Sequence, residues 1–161
     1  MNNDPDKSLR EQLVQLLNGG HAHATFDAAV EGLPAELRGQ KTSNLPYTPW
    51  MLLEHLRLAQ WDILEFSRDP KHQSPEFPKG YWPANPEPPN PSAWDKSVNS
   101  FRADLKAMQK LVNDPKSDLH KPFPWGDGQN LLREALLLAD HNAYHLGELV
   151  VLRRLLGAWK K

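Results

Sequence analysis

"NLLREALLLADHNAYHLGELVVLRRLLG", residues 130–157, is the stretch that decides the fold. Its apolar residues recur at helical spacing, and it ends at Gly157, a residue suited to the left-handed position that closes helices. The pattern predicts a helix from about Asn130 to Leu156. With His141 at zero on a wheel of about 100° per residue, His145 lies roughly 40° away and Glu148 about 20° to the other side. Leu137, Leu138, Leu152 and Leu155 share that sector, so both histidines are expected on the buried face. Four-residue spacing is also what a helix needs to aim two imidazoles at one ion. Position 142 is Asn where the zinc-protease pattern has Glu, which disfavours a zinc protease.

Working outward, three more segments read as amphipathic helices, and no alternating strand or internal repeat is found. The first runs from about Pro5 to Gly32 on a stripe of Leu9, Leu13, Leu16 and Leu17. Gly19-Gly20 weakens it by about 1 kcal/mol per glycine relative to alanine, so a kink or break can fall there. If the helix continues, His23, Ala24 and Asp27 stay on its inner face. The second begins at "PWMLLEH", with Thr48 as N-cap and Pro49 at the first helical position, and ends at Pro70. Met51, Leu52, His55, Leu58, Ala59, Asp62 and Phe66 form its inner stripe. The third starts near Ser92, places Trp94, Val98, Phe101, Leu105, Met108 and Val112 on one side, and closes at Asp114-Pro115.

Between the second and third lie residues 70–91, with eight prolines. No helix or central strand survives that density. A loop so long is usually functional or disordered, and Tyr81 and Trp82 are the residues expected to pin it. Four helices with one long crossover predict an all-α four-helix bundle, formed as one domain over residues 1–161.

The chain has no cysteine, which excludes disulfides, thiolate ligands and a cysteine nucleophile. Its 19 basic and 20 acidic residues are interspersed, for a net charge of -1, so nothing resembles a polybasic groove for nucleic acid or an anionic membrane. "MNNDPDKSLREQ" carries no apolar signal core, and no run long enough to span a bilayer occurs. The expectation is a soluble cytoplasmic protein acting on a small molecule.

His55 gives the paired histidines their meaning. It lies on the inner stripe of a different helix, among Leu52, Leu58 and Ala59. Three inward imidazoles leave polar nitrogens to satisfy, and a single divalent ion satisfies all of them. Three protein ligands also leave a coordination position open, as catalytic rather than structural zinc sites do.

"PWMLLEHL" and, far downstream, "DHNAYHLGEL" resemble the DinB-like superfamily of helical-bundle proteins. The resemblance spans most of the chain. It implies a divalent metal, commonly Zn²⁺ or Ni²⁺, held at His55, His141 and His145, and a homodimer. Characterised members include thiol-dependent S-transferases and a mycothiol-dependent maleylpyruvate isomerase. It therefore implies a metal-dependent transferase using a low-molecular-weight thiol, which a chain without cysteine must take from a cosubstrate. Glutamine is common in the family where this chain has Glu148. Hydrolysis by the same metal is the second chemistry, and a non-catalytic metal- or ligand-binding bundle and a metal-free helical scaffold are the readings outside catalysis.

Other residues are weighed beside these. Glu148 is a candidate base or an acceptor from a ligand imidazole; the plainer reading is a solvated carboxylate. Asp62 either orients a histidine or forms a buried ion pair. Glu134 suits the positive end of its helix, and Arg153 and Arg154 the negative end. Tyr144 is a candidate donor to a substrate oxyanion, against ordinary packing. Trp50, with Tyr81 and Trp82, is a candidate wall for the pocket mouth, and His23 joins the pocket only if the first helix is continuous. His21 is expected at the surface, and His72 and His120 carry no assigned role.

Overall fold

A computed structural model of the chain describes residues 4–43 and 45–159, which form five α-helices and no strand. Part of the amino-terminal stretch read above, residues 1–3, and the last two residues of the expected 1–161 domain lie outside the described residues. The helices are α1 (Pro5–Asn18), α2 (Phe26–Val30), α3 (Pro49–Arg68), α4 (Ala93–Asn113) and α5 (Leu131–Leu155). α3 packs against both α4 and α5, α1 packs on the same two, and α2 packs on α5. None of these helices is long and apolar enough to cross a membrane.

The helical class is as expected, but the helix count is not, because the first segment breaks at its glycines. Gly19 and Gly20 take φ values of 67° and 86°, a region that costs other residues dearly. A Cβ on Gly20 would also lie 2.8 Å from the Thr25 methyl. Thr25 then starts α2 as a new helix, its hydroxyl accepting from the Ala28 N–H at 3.2 Å. The continuous helix assumed for His23 is absent: the residue sits in the exposed link, its Nδ1 lies 3.1 Å from the Ala24 carbonyl, and it lines the small cavity beside Asn142. Asp27 is likewise exposed and pairs with Arg102 at 2.8 Å.

α3 begins as its sequence dictates. Thr48 accepts from the Met51 N–H at 3.1 Å, and Pro49 occupies the first turn, where a missing N–H costs nothing. Leu52, Leu53, Leu56 and Leu64 are fully buried along it. Trp50 is not at a pocket mouth. It is only 5 % exposed and packs in the core with Phe26, Trp94, Phe101 and Leu149. Each such side chain contributes about 1.5–3 kcal/mol by leaving water, which outweighs any gain from an exposed position.

A second core cluster joins Leu13 and Leu17 of α1 to Leu64, Met108, Leu131 and Leu138. Two buried arginines stitch the ends together. Arg10 donates to the Val112, Asp114 and Ser117 carbonyls at 2.7, 2.9 and 2.7 Å. Arg153 donates to Ala29 and Ala158 carbonyls at 2.6 and 2.8 Å, so its partners lie in α2 and beyond the end of α5. Glu134 is buried in the first turn of α5 and pairs with Arg133 at 2.6 Å; burial raises its pKa.

Between α3 and α4 the proline-rich connection carries one short 3-10 turn, Lys79–Tyr81. Asp62 of α3 ties it down, accepting from the Tyr81 hydroxyl at 2.6 Å and facing His72 Nε2 at 2.7 Å. The Thr48 hydroxyl donates to the Pro86 carbonyl. The connection is thereby held along α3 at two points that flank His55, Thr48 and Asp62.

Candidate metal centre

α3 contributes His55, which is 8 % exposed; α5 contributes His141 and His145, both half-buried. One ligand nitrogen from each ring falls in a cluster less than 4.8 Å across. His55 Nε2 lies 3.0 Å from His145 Nε2 and 3.1 Å from His141 Nε2.

The outer ring atoms determine what those contacts mean. His55 Nδ1 donates to the Tyr81 carbonyl at 2.9 Å. His145 Nδ1 donates to Glu148 Oε2 at 2.7 Å. A neutral imidazole carries one N–H. With both Nδ1 atoms protonated, the two Nε2 atoms 3.0 Å apart each present a lone pair, and no hydrogen lies between them. A proton or a metal cation must make that contact favourable. Burial lowers the pKa of His55, and burial with the neighbouring His145 and His55 brings His141 down to about 4.

The donor set suits a divalent metal. A tetrahedral ion with bonds of about 2.0–2.1 Å to nitrogen spaces its ligands roughly 3.4 Å apart, slightly wider than the two contacts above. Neutral imidazoles bound through Nε2, with Nδ1 held by a carboxylate or carbonyl, are the usual metal-ligand arrangement. Three protein ligands leave room for a fourth, exogenous one.

Aromatic residues wall the cluster. Trp82 stacks flat on His55 with centroids 3.9 Å apart and planes 2° from parallel, and Tyr47 stacks on Trp82 at 4.6 Å. Tyr144 meets His145 edge-on at 4.9 Å. It is 65 % exposed, so the packed reading of this tyrosine is wrong. It stands at the open edge of the cluster.

Most of the expected site residues meet here: His55, His141, His145, Glu148, Tyr81, Trp82 and Tyr144. Asp62 stands one step back. It touches no ligand histidine and instead holds the tyrosine whose carbonyl orients His55. Trp50 lies in the core, and His23 lies outside the histidine cluster, on the small cavity beside Asn142. His72, given no role from sequence, is the second partner of Asp62. The sequence reading also missed Tyr47 and the Tyr81 carbonyl. Backbone acceptors carry no residue signature, and Tyr47 precedes the helix on which periodicity operates.

The placement of α5 differs from its wheel. Leu137 and Leu155 are 36 % and 54 % exposed. The buried residues Leu131, Ala135, Leu138, Asn142 and Leu149 centre roughly 90° from His141. The histidines therefore occupy the shoulder of the apolar face. From there they reach α3 and still remain partly exposed.

A family model described as the DinB superfamily matches residues 20–149, a span that includes all three histidines. No curated protein and no solved structure matches the chain.

Proposed function

The chain belongs to the DinB superfamily, and from that premise we propose that it is a metal-dependent enzyme, a transferase using a low-molecular-weight thiol. One observation carries this reading: two Nε2 lone pairs, from α3 and α5, face each other at 3.0 Å with their Nδ1 protons committed elsewhere. Zn²⁺ and Ni²⁺ are the ions that this donor set and the family resemblance favour. When bound, such an ion supplies Lewis acidity, which acidifies a coordinated thiol or water.

The chain's own residues supply the rest. His55, His141 and His145 hold the ion. The Tyr81 carbonyl and Glu148 keep the Nδ1 protons in place, so the Nε2 lone pairs stay directed inward. Glu148 is engaged with His145, which makes it an orienting carboxylate rather than a free base. Trp82 fixes the plane of the His55 ring and shields that side from water. In this reading the exposed Tyr144, edge-on to His145, donates its hydroxyl to a substrate oxygen. The thiol comes from a cosubstrate, since the chain has no cysteine. The same reading takes the long helices as a DinB-type four-helix bundle in a cytoplasmic homodimer.

Metal analysis of the purified protein, beside His141→Ala, tests the site. A single divalent ion per chain in the wild type and near none in the variant is the expected result. Equal, near-zero contents would leave a helical scaffold. Metal-dependent consumption of a small thiol with an electrophilic substrate tests the reaction, and a loaded protein inert across such panels would reduce the site to metal binding.

A further inference from the structure

Ligation through three Nε2 atoms leaves a proton on each Nδ1, and each needs an acceptor. Two have one, the Tyr81 carbonyl and Glu148. The third, His141 Nδ1, is buried with no hydrogen-bond partner. The adjoining side chain shows the opposite deficit: Asn142 Oδ1 is also buried and also unpartnered.

The direction of that oxygen is determined by a backbone group. The Phe101 carbonyl can only accept, so the Gln60 side chain turns its NH₂ toward it, at 2.6 Å. Gln60 Oε1 then faces Asn142, which must present its own NH₂, at 3.0 Å. Both amide orientations follow, and the Asn142 oxygen is left at the free end. Gln60 is fully buried and Asn142 is 7 % exposed. A cavity of about 50 Å³, lined by Asn142, Phe101, Leu105 and Leu146, adjoins the amide.

Resting on the metal reading above, we infer that Asn142 is the positioning residue of His141: its side-chain oxygen accepts the Nδ1 proton when the three Nε2 atoms share an ion. The buried chain Phe101–Gln60–Asn142 thereby connects the α4 backbone to a metal ligand on α5. It does for His141 what Tyr81 does for His55 and Glu148 for His145.

The test is Zn²⁺ titration of the full-length, metal-free chain against a competing chelator, for wild type, Asn142→Leu and Asn142→Asp. The leucine removes the oxygen; the aspartate keeps it. Asn142→Leu is expected to bind Zn²⁺ roughly 10–100-fold more weakly, with Asn142→Asp recovering most of the loss. In ¹⁵N spectra of the Zn²⁺-loaded wild type, His141 Nδ1 should carry a proton protected from exchange. If Asn142→Leu fails to fold, that wild-type spectrum decides alone. Equal affinity in wild type and Asn142→Leu, or a His141 Nδ1 proton that is absent or unprotected, overturns this inference and leaves the metal reading standing. A wild-type chain that takes up no Zn²⁺ overturns both.

Discussion

His141 shows how burial sets the protonation of a single residue. Its ring is packed beside two other imidazoles, and its pKa falls from the ordinary 6.5 to about 4. In the metal-free chain, the unfolded state therefore binds a proton between those values and the folded state does not. Stability consequently falls with decreasing pH across that window and is fully present above it. His55 is lowered as well and acts in the same sense. Urea unfolding of the metal-free protein at pH 7 and pH 5 should show the loss, and His141→Gln should have a flatter pH dependence. Parallel slopes for the two proteins would refute the assignment. At this scale the three clustered histidines were legible from sequence as candidate ligands, since a histidine among leucines at helical spacing has few inexpensive explanations. The acceptors were legible only in part. Glu148 is three residues from His145 on one helix, so the wheel brought them together. The Tyr81 carbonyl that serves His55 is 26 residues away and belongs to the backbone.

The helices owe their limits to a few local groups. Thr48 serves two of them at once, capping α3 through the Met51 N–H and holding the Pro86 carbonyl of the long connection. Thr48→Ala should cost about 1 kcal/mol for the cap, and it also releases the Pro86 carbonyl. For a chain of this size each kcal/mol corresponds to about 2–4 °C in Tm, so calorimetry should register a clear drop; an unchanged Tm would show that the cap contributes nothing here. Caps, stop signals and the extent of α3, α4 and α5 were readable because they depend on contacts within a turn or two. The break at Gly19-Gly20 was visible only as an option. Two glycines permit a left-handed turn, but whether the chain takes it depends on the Phe26 ring, which stacks on Phe101 of α4 at 3.8 Å. The shoulder position of the α5 histidines had the same origin. A wheel gives angles within one helix, and the neighbouring helices determine which sector is the inside.

Across the whole molecule, the connection between α3 and α4 behaves as part of the site. Asp62 anchors it through Tyr81 and His72; Tyr81 then orients His55, and Trp82 covers it. Asp62→Ala removes the acceptor without touching a ligand. Tryptic cleavage after Lys71 or Lys79 should accelerate, because local opening of the segment becomes easier, and Zn²⁺ affinity should fall by roughly tenfold. Unchanged cleavage and affinity would show that the connection holds without its anchor. Composition and periodicity were sufficient for the all-helical class, the proline-rich connection and the three candidate ligands, since each follows from residue identity and short-range spacing. The meeting of α3 with α5, the lone pairs brought face to face, and the acceptors behind each ring came only with packing. They join groups tens of residues apart, several of them backbone atoms, and no local pattern encodes a contact whose partner lies on another helix.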